Sequence, residues 1–536
     1  VIELDPKKFK TAPFAHQLEG VKALLKRPAF ALFDEMGAGK SKQVVDAACV
    51  LFESGAIDTV VVVAPASCRG VWLDPDLGEI RKHAWAPVRV VEYHAPRKGS
   101  HWREVWRHDY RDDLERFGGS RWPRGTLSWV VTNYEFTRKM AKDRRGRNQY
   151  PHVDRMVAEI KEHGQKVLLV LDESSFVKSR TAHQSKAIAR LRAACARCVL
   201  LNGTPVTNSP LDLWSQLRIM DPAALAGFQN FWHFRSRYAI MGGWNNKQVL
   251  RFHDLDDLSR RVAPWVLRRE KKDCLDLPEK LFTTAEVRLD PATWKKYKEL
   301  KEEAVLALEE YGEDAQMEAN AAVRLLRLSQ LTSGILGGVR PPTGAADAET
   351  VFAEAAEEPA AMTIDVSREK LDWALEYLSE WTTARAVIVW CRFRRERERL
   401  AEELRRDHAT KIATFELYGG QPKAEREDAV RRFTTVSSNA KRYMLLAQPH
   451  AGGFGLNLVA ATEAVYVSQD YSSMIRKQSE DRCHRPGQRF NVTYKDVIAT
   501  GPQGQKTVDH AIVRALRKYE DVARWTCSEW RKALEE

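Results

Sequence analysis

The chain has 536 residues, 44% of them hydrophobic and 29% charged. That balance excludes a disordered polypeptide and leaves room for about two to four domains with real cores. Lys and Arg number 85 against 73 Asp and Glu, a formal charge of +12, which favours a polyanionic partner through phosphate neutralisation.

Eight cysteines are scattered along the chain, and only Cys195 and Cys198 form a CxxC. With no second pair at zinc-ribbon distance, they read as reduced thiols on a helix running into a strand rather than as metal ligands. The opening residues do not form a signal peptide, and no apolar run approaches a membrane span. The first residue, Val1, is not Met, which points to a trimmed chain.

In chain order, short apolar runs at 30–33, 59–64, 128–132, 167–171 and 198–201 alternate with helical patterns. A helical stretch, about 291–336, is rich in Ala, Leu, Glu, Lys and Arg. Residues about 337–362 turn to Gly, Pro, Ala and Glu and read as a flexible loop. Strand-like runs then return at 386–390, 443–447, 464–467 and 492–498. Strands alternating with helices imply α/β architecture with doubly wound parallel sheets. The expected division is an N-terminal lobe over 1–270 and a C-terminal lobe over 271–536. Ligands of such sheets bind at the carboxyl ends of the strands.

The chemistry-bearing motifs sit just after these strands. Residues 34–41, Asp-Glu-Met-Gly-Ala-Gly-Lys-Ser, join a strand to a helix start. Gly37 and Gly39 leave the backbone free to wrap phosphate oxygens with N–H groups. Lys40 suits the β- and γ-phosphates, and the Ser41 hydroxyl suits Mg²⁺. Asp34 stands where the phosphate-loop pattern has its first glycine. The run 167–171 ends in Asp172 and Glu173, a pair suited to holding Mg²⁺ and polarising an attacking water. Gln478, Arg482 and Arg485 fall at i, i+4 and i+7 of a helical pattern. Two arginines on one face suit the charge that develops on a γ-phosphate.

Taken in order, these segments resemble the motifs of helicase superfamily 2, and within it the Swi/Snf-type DNA translocases. Residues 34–41 resemble DEMGLGK[ST]. Leu201-Asn-Gly-Thr-Pro-Val-Thr-Asn-Ser-Pro-Leu-Asp-Leu-Trp214 resembles LTGTPxxNxxxxLW. Trp265-Val-Leu-Arg-Arg-Glu-Lys-Lys-Asp273, with Leu277 and Pro278 after it, resembles LRRxKxxVxxxLP. Residues 451–458 resemble AGGxGLNL, and 478–488 resemble QxxDRxHRxGQ.

The resemblance implies two RecA-like lobes with helical insertions, about 209–262 and 291–336, and ATP and Mg²⁺ as ligands, with double-stranded DNA as partner. It implies Gln17 as the adenine-reading residue, and Gly37, Ala38, Gly39, Lys40 and Ser41 as triphosphate and Mg²⁺ ligands. Asp172 and Glu173 become the Mg²⁺ and water-activating pair, and Gly203 and Thr204 couple hydrolysis to movement. Gln478, Arg482 and Arg485 complete the site from the second lobe. Pro65, Ser67, Thr132, Asn133, Tyr134, Gly452, Gly453 and Asn457 become nucleic-acid-tracking positions that grip mainly the backbone.

Several positions depart from the pattern. Ser175 stands where the acidic motif usually ends in His, His16 stands where Tyr is frequent, and 448–450 replace small and basic residues. With no further domain evident, the chain reads as a bare motor, as in compact viral or bacterial members. It would work inside the cell, in cytoplasm or nucleoid, or in host cytoplasm if viral. The competing enzyme reading is a strand-separating helicase on DNA or RNA. A scaffold with a degenerate site conflicts with intact Lys40, Asp172, Glu173, Arg482 and Arg485.

Overall fold

The computed structural model describes residues 4–74, 78–93, 125–142, 146, 148–203, 205, 209–228, 230–242, 248–310, 315–337, 363–381, 386–406, 412–435, 442–450 and 456–518. The chain divides into two compact units, Val1–Asp276 and Leu277–Glu536.

Lobe 1 is built on seven parallel strands: β1 (Ala29–Leu32), β2 (Thr59–Ala64), β3 (Val88–Glu92), β4 (Leu127–Asn133), β5 (Val167–Asp172), β6 (Arg197–Leu201) and β7 (Val266–Leu267). Their order across the sheet is β7-β1-β6-β5-β2-β4-β3. The central strands are aliphatic runs such as Val60-Val61-Val62-Val63, buried on both faces as helix-covered parallel sheets require. Alternate residues Ala29, Ala31, Val61, Val63, Leu169 and Leu171 feed one core layer, together with the helices Pro151–Glu162 and His183–Arg192. Helices α1 (Ala15–Lys26) and α2 (Lys40–Glu53) flank β1 in sequence.

The stretch expected to be purely helical holds α3 (Asp212–Met220), α4 (Phe231–Tyr238) and a helix at Leu255–Val262. It also holds an antiparallel pairing of Ala239–Gly242 with Gln248–Phe252, which a helical reading does not anticipate.

Lobe 2 carries six parallel strands: β8 (Lys280–Arg288), β9 (Ala386–Trp390), β10 (Ala413–Leu417), β11 (Tyr443–Ala447), β12 (Ala461–Tyr466) and β13 (Val492–Thr500). Their order is β8-β13-β12-β9-β11-β10. Ala386, Ile388 and Trp390 point to one core layer, and Val387 and Val389 to the other. Helices α5 (Pro291–Glu310) and α6 (Ala315–Thr332) precede the second-half strands, followed by α7 (Glu369–Glu380), α8 (Arg394–Arg406), α9 (Ser473–Cys483) and α10 (Val508–Arg517). Tyr297, Leu326 and Leu331 pack with Ile512 and Leu516 in a third cluster. The loop expected over 337–362 lies, except for Gly337, outside the described residues. Among the described residues, no helix is long and apolar enough to cross a membrane.

Candidate active site

In lobe 1, strand order brings three loops together. β6 lies between β1 and β5, and Leu201 at its end pairs with Leu32 on one side and Asp172 on the other. The glycine loop, the Asn202–Gly203 turn and the acidic pair therefore start at one level, on strands about 4.8 Å apart.

The glycine loop turns through Gly37 at φ 84° and Gly39 at φ 79°, a backbone region that L side chains rarely adopt. Gly39 caps the 14-residue helix α2, whose first turn offers unpaired N–H groups and the positive end of the helix dipole. A Cβ on Gly39 would stand 2.2 Å from Gln17 Nε2. Lys40 Nζ donates to the Asp34 carbonyl at 2.7 Å and to the Glu35 carbonyl at 3.3 Å. Ser41 follows it on α2.

Asp34, the departure at the first glycine position, is fully buried. Arg269 grips its carboxylate with two N–H groups, at 3.0 and 2.6 Å, and Gln43 Nε2 donates to it at 3.1 Å. Arg269 also donates to the His16 carbonyl. His16 Nε2 lies 2.9 Å from the Ala38 carbonyl. The Gln17 amide is engaged at both ends, accepting from Phe14 N at 3.0 Å and donating to the Ala38 carbonyl at 3.4 Å.

Asp172 ends β5 and Glu173 follows it at φ 51°, a left-handed conformation that carries strain in a non-glycine residue. Trp72 Nε1 donates to Asp172 Oδ2 at 2.9 Å, and the Tyr134 hydroxyl donates to the Asp172 carbonyl at 2.9 Å. Burial raises the Asp172 carboxyl, opposed by the Trp72 hydrogen bond and the positive charge of Lys40.

Gly203 approaches the glycine loop closely: a Cβ there would stand 2.6 Å from Met36 Cγ and 3.2 Å from Met36 N. Its expected companion Thr204 lies outside the described residues. Behind this turn runs a buried relay. Ser174 Oγ donates to Gln216 Oε1 at 2.7 Å, and Gln216 Nε2 donates to the carbonyls of Pro205 and Asp212 at 2.8 and 3.0 Å. The acidic loop, the turn after β6 and α3 are thus tied by one side chain.

The expected nucleic-acid positions of lobe 1 divide. Pro65 precedes the 3-10 turn Ala66–Cys68, which contains Ser67, whose side chain lies outside the described set. Asn133 Oδ1 accepts from Phe136 N at 2.6 Å and caps the short helix Tyr134–Thr137. Thr132 and Tyr134 are fully buried, and the Tyr134 hydroxyl is engaged by the Asp172 carbonyl.

In lobe 2, Ser472 caps α9, which carries the buried Gln478 and Arg482. The single-face reading fails for Arg485. The helix ends at Cys483 because Pro486 disfavours α geometry at Arg485, and Gly487 then turns at φ 102°. Arg485 NH1 donates to the Leu456 carbonyl at 2.8 Å. Neighbouring Glu480 pairs with Arg476 and Lys280, and Asp481 with Lys280. Asn457 is exposed, whereas Gly452 and Gly453 lie outside the described residues.

Burial pushes the Cys195 and Cys198 thiols up to about 12.

Residues 16–333 match the SNF2-related domain, and 369–487 match the helicase conserved C-terminal domain. The chain belongs to the SNF2-related ATPase family. TATA-binding protein-associated factor 172 of Homo sapiens is 27% identical over 63% of this chain and 20% of that protein. Protein CHROMATIN REMODELING 4 of Arabidopsis thaliana is 25% identical over 97% of this chain and 22% of that protein. An uncharacterized ATP-dependent helicase of Mycoplasma pneumoniae is 26% identical over 62% of this chain and 28% of that protein. The chain thus matches only 20–28% of these relatives' length. The Sulfolobus solfataricus SWI2/SNF2 ATPase core in complex with dsDNA aligns over 99% of this chain and 98% of that one, at 18% identity and a TM-score of 0.39.

Three residues of this SNF2-type lobe escaped sequence reasoning in their roles: Arg269, Trp72 and Gln216. Arg269 lies inside the quoted 265–273 motif. Trp72 and Gln216 carry no local signal, since an indole and an amide in apolar helical patterns read as core.

Proposed function

We propose that this chain is an ATP-driven motor that moves along double-stranded DNA. The observation that carries the reading is the alignment of the glycine loop, the Gly203 turn and the Asp172–Glu173 pair at the same ends of β1, β6 and β5. The positive-φ glycines, the α2 N-terminus, Lys40 and Ser41 fit a triphosphate, and the Ser41 hydroxyl with the Asp172 carboxylate fits Mg²⁺. Bound Mg²⁺ would neutralise charge on the phosphate oxygens.

The chain's own groups supply the rest. Lys40 leaves the loop carbonyls for the β- and γ-phosphates. Glu173, held at the tip of β5, orients and polarises the attacking water. Trp72 and Tyr134 fix Asp172 beside it. Gln478, Arg482 and Arg485 are the expected second-lobe contribution, the arginines stabilising charge on the transferred phosphoryl group. Gly203 against Met36 is where a change at the phosphate loop reaches the turn after β6.

The test compares polynucleotides. Duplex DNA is expected to stimulate ATP turnover more than single strands or RNA of equal length, and ATP is expected to drive displacement of a third strand from a triplex. Robust unwinding of a tailed duplex without triplex displacement would transfer the chain to the strand-separating helicases.

A further inference from the structure

Arg180, in the loop after the acidic pair, meets α4 at a cationic aromatic patch. Asn230 caps α4, its Oδ1 accepting from His233 N at 3.0 Å. Trp232, in the first turn, is 52% exposed, although large aromatic side chains are normally well buried. The Arg235 guanidinium lies 4.4 Å from the centre of its ring, one helical turn along. Arg180 reaches the same indole at 5.1 Å and the Phe231 ring at 4.9 Å. Phe231 packs edge-on against Trp214 of α3, with ring centres 5.7 Å apart, which fixes the patch to the lobe.

The charge here is not neutralised locally. Arg237, next along α4, pairs with Asp254 and Asp257. Arg180 and Arg235 make no ion pair with a carboxylate among the described residues; rings alone hold them. A guanidinium stacked on an aromatic face keeps its planar N–H edge available, and that fork matches two phosphate oxygens. Stacking also removes rotamer freedom that a free arginine would lose on binding. With two cations already over the indole, the patch suits phosphates better than an unpaired base.

We propose that Arg180, Trp232 and Arg235 form a contact for the phosphodiester backbone of duplex DNA on lobe 1. The contact reads no sequence, because backbone phosphates carry none. The proposal rests on the duplex-DNA reading above and adds a site to it, outside every motif of the sequence.

The test is a fluorescence-anisotropy titration of a blunt 30-base-pair duplex, repeated over a range of salt concentrations, with the full chain. Arg180→Ala with Arg235→Ala is expected to weaken binding about tenfold at low salt and to reduce the log–log salt slope by about 2, one for each phosphate contact. Trp232→Ala is expected to weaken binding by freeing both guanidiniums, and Trp232→Phe to retain most of the affinity. ATP turnover without DNA is expected to stay at the wild-type value in all three, which also reports an intact fold. Unchanged affinity and slope in the double variant, against a wild type that binds duplex, would overturn the patch alone. A loss seen only with single strands would overturn its duplex assignment. Failure of the wild-type chain to bind duplex would overturn the DNA reading itself and the patch with it.

Discussion

Replacing Gln216 by Leu keeps the size of the side chain and removes its amide. Gln216 and Ser174 are both fully buried, so the groups left behind have no water to turn to. The Ser174 hydroxyl loses its acceptor, and the Pro205 carbonyl loses its donor. Each stranded group costs about 1–3 kcal/mol, so Gln216→Leu is expected to destabilise lobe 1 by about 2–6 kcal/mol. Ser174→Ala strands only one amide oxygen and is expected to cost about 1–2 kcal/mol. Combining the two removes both the stranded hydroxyl and the stranded amide oxygen, so the double variant should fall short of the sum by about 2–3 kcal/mol. The same cycle has a kinetic reading. Glu173 sits at φ 51°, directly before Ser174, and such strain persists only where neighbours over-determine the backbone. Releasing Ser174 lets the Glu173 carboxylate wander by a fraction of an ångström to an ångström, which is expected to lower kcat about ten- to a hundredfold. The KM for ATP should hold, since the glycine loop is untouched. Urea unfolding and steady-state ATP turnover of the wild type, both single variants and the double variant measure all of this. Additive losses, or a raised KM with unchanged kcat, would refute the relay.

Lys40→Ala is expected to abolish ATP turnover while duplex affinity at fixed salt stays within a few-fold of wild type, measured by turnover and a binding titration. Arg485→Ala is expected to spare nucleotide binding and to lose about a thousandfold in turnover, as arginine fingers do; normal hydrolysis would refute the role proposed for Arg485. Glu396 is fully buried in lobe 2, and burial raises its carboxyl from 4.5 to about 7 against the opposing Ser468 hydrogen bond and Lys370 charge. Between those values the native chain holds a proton that the unfolded chain has released, so this group's contribution to stability falls as pH rises, by about 3 kcal/mol in all. Glu396→Gln is expected to remove that slope from thermal unfolding of lobe 2 between pH 5 and 8, and an unchanged slope would refute it.

The central strands were legible because burial on both faces writes them as aliphatic runs: Val60 to Val63 and Val167 to Leu171 leave little alternative. The edges were not. β8 is largely exposed and β3 only half-buried, so neither carries a continuous apolar run, and β7 has two residues. The site divides in the same way. Glycine loop, acidic pair and the 478–488 segment are local patterns, so the sequence displays them. The groups that hold them in place are not local. Gln216 lies 42 residues from Ser174, Trp72 lies 100 from Asp172, and Arg269 lies 235 from Asp34. Only folding brings such pairs together, and no periodicity marks them. The helix stop before Arg485 was written in Pro486, but a repeat of i, i+4 and i+7 masks it.

The Asp34 position shows what such a distant partner does. A glycine at the start of a phosphate loop leaves backbone freedom; an aspartate there needs a reason to be buried. Arg269 supplies it with a two-pronged grip, and Gln43 shares the load. Ion pairs of this kind seldom add net stability, because taking both charges out of water costs about what their attraction returns. Their effect is one of register. Holding Arg269 to Asp34 sets Leu267 beside Leu32 and Val266 beside Ala31, so a two-residue strand finds its place on the sheet edge. The same contact fixes the root of the loop, since Phe33 N donates to the Leu267 carbonyl and Glu35 N to the Arg269 carbonyl. The loop's glycines can then take up left-handed turns around a rigid base, with Lys40 emerging from a defined point. What looked like a weakened phosphate-loop pattern is a loop whose first hinge is replaced by a clamp from the far end of the lobe.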